Sequence, residues 1–370
     1  MRASTLEDTL TITARKVGLA GLAAAGVIAL FAACAPAPTS NNESSGPKKS
    51  DFLPCMVSDA GGFDDHSFNQ SSYEGLTSAA KDLGISFKKA ESKNANDYGP
   101  NIQSMVDQNC SLIISVGFNL KDATEKAAKA NPDIDFATVD DNEIKADNVR
   151  PIIFDTAQAA FLGGYAAASY SKTGVVGTFG GMQFPTVTIF MDGFADGVKY
   201  FNEQKKKDVK VIGWNVDKQT GSFTGGFDAN DTAKQAAKAI IDQNVDVLMP
   251  VGGPIYQSAA QAIKDSGKDI ALMGVDSDVY VSDPTVKALL LTSVMKGLNS
   301  ATAAVVKDAA NGKFSNTPYV GTLKNDGVGL ASFHDFASKV DPGLQGELDK
   351  IKAGIIDGSI TVTSPSSPKQ

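Results

Sequence analysis

Residues 58–75 read SDAGGFDDHSFNQSSYEG and concentrate groups able to do chemistry. Between Asp59 and Asn69 lie three carboxylates (Asp59, Asp64, Asp65), the imidazole of His66, the Asn69 amide and the rings of Phe63 and Phe68. Three chemistries fit that inventory: a hard-metal site, a catalytic site, or a cradle for something flat and polar. An EF-hand calcium loop needs oxygen ligands at alternate positions. Counted from Asp59, the third and fifth residues are Gly61 and Phe63, which excludes it.

Catalysis has little material. His66 and His334 are the only histidines, and no Walker lysine loop, G-x-G-x-x-G or G-x-S-x-G elbow occurs; GSFTG at 221–225 sets its serine one place early. The enzyme alternative is a nucleoside hydrolase, which opens on a loop close to D-x-D-P-G-x-D-D that holds calcium. Here DAGGFDD keeps Gly62, Asp64 and Asp65 but sets Ala60 at a metal-ligating aspartate position, so a cation has one fewer carboxylate. The cradle reading puts Phe68 and Asn69 at a helix start. The ring then stacks on a flat ligand, adding about 0.5–1.5 kcal/mol beyond area burial, while Asp59 and Asn69 read the ligand's edge. In the competing structural reading the two rings cap the core, and Asp64 and Asp65 cap the helix and match its dipole.

The elements that position this loop alternate strand and helix from residue 53. Strand-like runs such as LPCMVSD, SLIISVG, DFATVD, GVVGTFGG, VDVLMPVGG and IALMGVD are separated by helical periodicity starting near Phe68, Tyr98, Lys121, Thr156, 186, 231 and Tyr256. Short β-branched runs alternating with helices predict α/β architecture with parallel sheets buried on both faces. Two such series predict two doubly wound lobes joined by a hinge, the periplasmic-binding-protein arrangement of type I. Lobe 1 is expected over 53–172 plus about 300–330, lobe 2 over 173–299 plus about 331–362, and a flexible tail over 363–370. Ligands in open α/β sheets bind beyond the carboxyl ends of strands. That rule selects Asp59, Gly117–Asn119, Asp140, 180–185, Gly252–Pro254 and Asp276.

At 370 residues the chain has room for two domains. Its formal charge of −8 argues against non-specific nucleic-acid binding, which needs phosphate-neutralising cations. Arg2, Arg15 and Lys16 precede an apolar run, VGLAGLAAAGVIALFAA, that is short for a membrane span and flanked like a signal peptide, expected over 1–33. FAAC at 31–34 resembles the bacterial lipobox, making Cys34 the lipidated residue and 34–52 a flexible tether at the extracytoplasmic face of the cell membrane. Cys55 and Cys110 each open a predicted strand; a disulfide and two buried thiols both fit.

The opening stretch resembles, across its length, the signature D-x-G-x-x-D-D-x-S-F-N-Q-S-x-x-E-G of the basic membrane protein family, the PnrA-like purine nucleoside lipoproteins of ABC importers. VGFN at 116–119, PDIDFATVD at 132–140, GGMQFPTV at 180–187, GVDSD at 274–278 and LTSVMKGL at 291–298 are similar too. The resemblance covers roughly 53–362. It implies a non-enzymatic receptor that captures a nucleoside between its lobes and hands it to an ABC permease. It places Asp59, Phe68 and Asn69 on the base, Asp140 in the cleft beside the strand-end Gly252, and Asp276 and Lys296 on the ribose hydroxyls. It also implies a closing ring from the second lobe, Phe223, with Phe227 as competitor. A carboxylate accepts from two vicinal hydroxyls at once, which suits Asp276. No cofactor or metal is expected, the protein is expected to be a monomer, and the alternative ligand is a sugar or small polyol.

Overall fold

In the computed structural model, residues 51–369 are described; the expected signal segment, Cys34 and nearly all of the tether lie outside them. The first lobe begins with β1 (Pro54–Ser58), α1 (Phe68–Leu83), β2 (Lys88–Ala90), α2 (Ala95–Asp107), β3 (Leu112–Val116), α3 (Lys121–Ala130), β4 (Asp135–Val139) and β5 (Val149–Phe154). The chain continues through α4 (Thr156–Tyr170), β6 (Val175–Gly180), α5 (Pro185–Lys205), β7 (Lys210–Ile212) and a small hairpin, β8 (Trp214–Asn215) and β9 (Thr220–Gly221). Then come α6 (Asp231–Ile241), β10 (Val247–Val251), α7 (Ile255–Ser266), β11 (Ala271–Asp276), α8 (Val279–Ser282) and β12 (Leu290–Lys296). The last elements are α9 (Leu298–Ala310), β13 (Tyr319–Gly321), β14 (Val328–Leu330) and α10 (Leu344–Asp357).

Two six-stranded sheets result, ordered β13-β5-β4-β3-β1-β2 and β14-β12-β11-β10-β6-β7. All their pairings are parallel except β12 with β14. Every residue of β1, β3, β10 and β11 is buried, as apolar runs covered by helices on both faces must be. Helix α2 starts three residues before the expected Tyr98, because Asn94 and Asp97 form a capping box ahead of it.

Lobe boundaries depart from the sequence expectation at α4. The helix is apolar all round and almost wholly buried, a composition that demands neighbours on every side. Those neighbours are α5, β12 and β14, all of lobe 2. Glycines bring α4 and α5 together: a Cβ on Gly164 would lie 1.9 Å from the Phe194 carbonyl oxygen, and one on Gly197 2.0 Å from that of Phe161. The first crossover is therefore at Asp155, not near 172. The chain returns to lobe 1 at Gly297, where α9 packs on α1, and β14 brings it back to lobe 2 by Val328 rather than 331. Three passages side by side make the hinge.

Residues 363–369, expected as a flexible tail, are instead held against α5. Thr363 donates to Asp196, Ser364 to Asp192, and Ser366 shares a hydrogen bond with Thr188. Cys55 and Cys110 are joined by a disulfide between the adjacent strand starts of β1 and β3. No helix of the described residues is long and apolar enough to cross a membrane.

Candidate functional site

The carboxyl ends of the two sheets enclose one cleft. Lobe 1 contributes Asp59 after β1, Gly117 and Phe118 after β3, and Asp140 after β4. Lobe 2 contributes Phe184 ahead of α5, Gly252 to Pro254 after β10, Asp276 ending β11 and Lys296 ending β12. Phe68 and Asn69, the first residues of α1, complete one wall.

At one end Asp59 accepts from the Asn69 amide at 2.8 Å and from the Gly61 backbone at 3.1 Å. Burial is the dominant influence on Asp59 and pushes its pKa up to about 6, against the pull of those two donors. Asp65 takes the capping role: it accepts from the backbone N–H groups of Ser67, Asn69 and Gln70, and its Oδ2 also receives the Asn69 amide at 3.2 Å. Asp65 thus orients Asn69 as well as ending the helix, and burial drives its own pKa upward. Gly117 has φ +111, and a Cβ there would lie 2.6 Å from Asp59 Oδ2. Only glycine lets the β3 end approach the carboxylate so closely.

At the other end Lys296 Nζ lies 2.5 Å from Asp140 Oδ2 and 3.5 Å from Asp276 Oδ1, all three side chains being over 90% buried. Burial opposes the ammonium charge, but Asp140 and then Asp276 outweigh it and hold the lysine above its usual range. The ammonium also sits 5.1 Å from the ring centres of Phe68 and Phe190. Asp140 and Asp276 both adopt left-handed backbone, φ 66° and 69°. Such conformations cost energy for a non-glycine residue and gather at functional sites.

Of the two candidate closing rings, Phe227 and not Phe223 lines the cleft. The Phe223 backbone bridges to Gly180, and its ring meets Trp214 edge-on at 6.0 Å, behind the wall. Phe227 lies on bare backbone, where a Cβ on Gly181 or Gly252 would come within 2.4 or 2.6 Å of its ring. Phe118 and Phe184, with ring centres 4.8 Å apart, also line the cleft. Both lie in the strand-end stretches that the ligand rule selects from the sequence, Gly117–Asn119 and 180–185, within VGFN and GGMQFP. Phe63 is buried beside Tyr73 and serves the core. Asn119 lies outside this cleft, against the neighbouring recess with Tyr98 and Asp228.

Loop 65–67 also ties the lobes. Ser277 and Ser282 both donate to the His66 carbonyl, at 3.0 and 2.6 Å, and Ser67 donates to the Val275 carbonyl at 3.1 Å. The cleft as a whole offers aromatic faces, carboxylate acceptors and one ammonium already paired twice. That combination suits an uncharged ligand with a flat ring and hydroxyls, and it repels phosphate. Among the described residues no cluster of histidine, cysteine and carboxylate side chains is placed to hold a metal ion.

Two facing α/β lobes on a triple hinge, with a polar and aromatic cleft between them, define a solute-binding protein. Residues 52–359 match the Bmp family, ABC transporter substrate-binding proteins that are PnrA-like, and the chain belongs to that family. It is 32% identical over 367 residues to the ABC transporter nucleoside-binding protein BmpA of Lactococcus lactis, covering 95% of this chain and 99% of that protein. Basic membrane protein A of Borreliella burgdorferi is 28% identical over 310 residues, 82% of this chain and 86% of the relative. An ABC transporter solute-binding protein from Aeropyrum pernix shares the fold with a TM-score of 0.74 at 24% identity, covering 85% of this chain and 94% of that one.

Proposed function

We propose that this protein captures nucleosides, purine nucleosides foremost, in the interlobe cleft and presents them to the permease of an ABC importer. The observation that carries the reading is the division of the cleft. Phe68 and Phe227 supply ring faces, Asp59 and Asn69 supply edge-reading groups, and Asp140, Asp276 and Lys296 form a buried polar cluster suited to a diol. The nucleoside-binding name of the Lactococcus relative supports it. A sugar or polyol would use the polar cluster but has no base edge for Asp59 and Asn69 to read. The role is capture without chemistry. Cys34, as a lipid-anchored residue, holds the protein at the extracytoplasmic face of the membrane.

Calorimetry with adenosine and its 2′,3′-dideoxy analogue tests the ligand class. Wild type should prefer the ribonucleoside, and Asp276→Ala should erase that preference. Charged hydrogen bonds contribute about 1.5–3 kcal/mol, so the loss is about ten- to hundredfold. Equal losses for both ligands would remove Asp276 from the ribose, and binding of free sugars with no nucleoside binding would overturn the reading. Palmitate labelling of the protein in a bacterial host, abolished by Cys34→Ala, checks the anchor.

A further inference from the structure

Behind the Asp140–Lys296 end of the cleft lies a second recess. The two share Phe118, Asp140, Thr186 and Lys296 as a common wall. Ser366 and Pro368, from the segment after the last helix, line it as well. That segment is fastened along its length. Ser364 Oγ donates to Asp192 at 2.6 Å, Ser366 Oγ pairs with Thr188 Oγ1 at 2.9 Å, and Ser367 Oγ donates to Asp155 Oδ1 at 2.8 Å. Asp192 and Thr188 belong to α5 of lobe 2, whereas Asp155 is the first hinge crossover. The segment thus runs from a lobe 2 helix onto the hinge and lines the recess behind the ligand cleft on the way. Asp192 is fully buried and its other oxygen takes the Trp214 indole N–H and the Gln219 amide, so its position is set independently of the tail.

We propose that residues 363–369 are a strap that forms the outer wall of the ligand site at its Asp140–Lys296 end and sets how far a ligand can extend there. The inference rests on the nucleoside reading above. With the base stacked between Phe68 and Phe227 and the ribose at Lys296, the exocyclic C5′ is the one ribose carbon that projects beyond the sugar ring. An uncharged substituent on C5′ enters the rear recess and meets Ser366 and Pro368. On the same recess Asp140 is paired with Lys296 and Glu143 with Lys121, so Lys296 is already engaged and offers a 5′-phosphate no free charge. Wall and hinge contact are one structure, so the strap limits ligand size without itself touching the base.

The test compares adenosine with 5′-deoxy-5′-methylthioadenosine in three proteins: wild type, a chain ending at Val362, and the full chain carrying Ser364→Ala, Ser366→Ala and Ser367→Ala. The serine variant keeps every backbone atom, so it remains informative if the truncated chain folds poorly. Wild type should bind adenosine at least tenfold more tightly than the 5′-substituted analogue. In either variant the gap should shrink to threefold or less, chiefly because the analogue binds better. A tenfold gap that persists in both variants, or equal binding of the two ligands to wild type, overturns the strap. Wild type that binds neither ligand overturns the nucleoside reading itself, which separates the two failures.

Discussion

Phe223 and Phe227 stand four positions apart in one loop, and substituting each should give opposite phenotypes. Phe227→Ala strips a ring that lies on glycine backbone at the cleft wall, so nucleoside affinity should fall by tenfold or more; lost stacking contributes about 0.5–1.5 kcal/mol and lost apolar burial the rest. Phe223→Ala empties a contact with Trp214 and should lower the thermal midpoint while leaving ligand preference intact. Calorimetry and thermal unfolding on both variants distinguish the roles, and a binding loss confined to Phe223→Ala would reverse them. Asp59 contributes a pH dependence, and burial also pushes up Asp65, Asp140 and Asp276 in the same cleft. The folded pKa of Asp59, about 6, is raised above the unfolded carboxylate value of 3.8, so between those values the folded state holds the extra proton. Stability from this group is thus greatest at acid pH and declines as pH rises from about 4 to 6. A base N–H needs the ionised form, so ligand binding runs the other way. From pH 7.5 to pH 5, affinity should fall by about tenfold, one pH unit below the folded value being one decade in ionised fraction. The fall should be smaller in Asp59→Asn, and a pH-independent wild type would mean that Asp59 does not meet the ligand as a carboxylate.

At the scale of elements, loop 65–67 joins the start of α1 to lobe 2 through the His66 carbonyl. His66 itself has φ 56°, a left-handed turn that aims this carbonyl at Ser277 and Ser282. Those two hydroxyls hold the lobes together at the mouth without touching the cleft floor. Ser277→Ala with Ser282→Ala removes two hydrogen bonds of about 0.5–1.5 kcal/mol each. Ligand release, followed by stopped-flow fluorescence of Trp214, should accelerate by about fivefold or more, with the association rate little changed. An unchanged release rate would show that these bonds do not resist opening.

For the whole molecule, the disulfide and the hinge define what is rigid and what moves. Cys55–Cys110 closes a loop of sequence separation 55 wholly within lobe 1. Chain-entropy arithmetic gives a stabilisation of about 4 kcal/mol for a loop of that length. Cys55→Ala with Cys110→Ala should therefore lower the denaturant midpoint substantially yet leave ligand affinity nearly unchanged, since both residues lie at strand starts, opposite the cleft. Alkylation without reductant, read by intact mass, should find both thiols unreactive in the native protein. Two modified cysteines would remove the bridge from the native state.

Strand-to-helix alternation, the parallel sheets and the cleft-facing strand ends were legible in the sequence. Apolar β-branched runs and helical periodicity are local signals, and chain direction decides which end of a parallel strand faces the ligand. Asp59, Phe68, Asn69, Asp140, Asp276 and Lys296 followed from that logic and from the family signature, and all of them line one cleft. Three features rested on contacts between distant segments. The choice of Phe227 over Phe223 depends on Gly181 and Gly252, from two other strand ends, leaving room for a ring. The lobe that owns α4 depends on glycines of α5 some thirty residues later, because a helix apolar on every side carries no direction of its own. Polar, proline-containing residues 363–369 look like any exposed tail until Asp155, Thr188 and Asp192 supply partners. Composition records what a segment can bury or bond, and only packing supplies the surface or partner it meets.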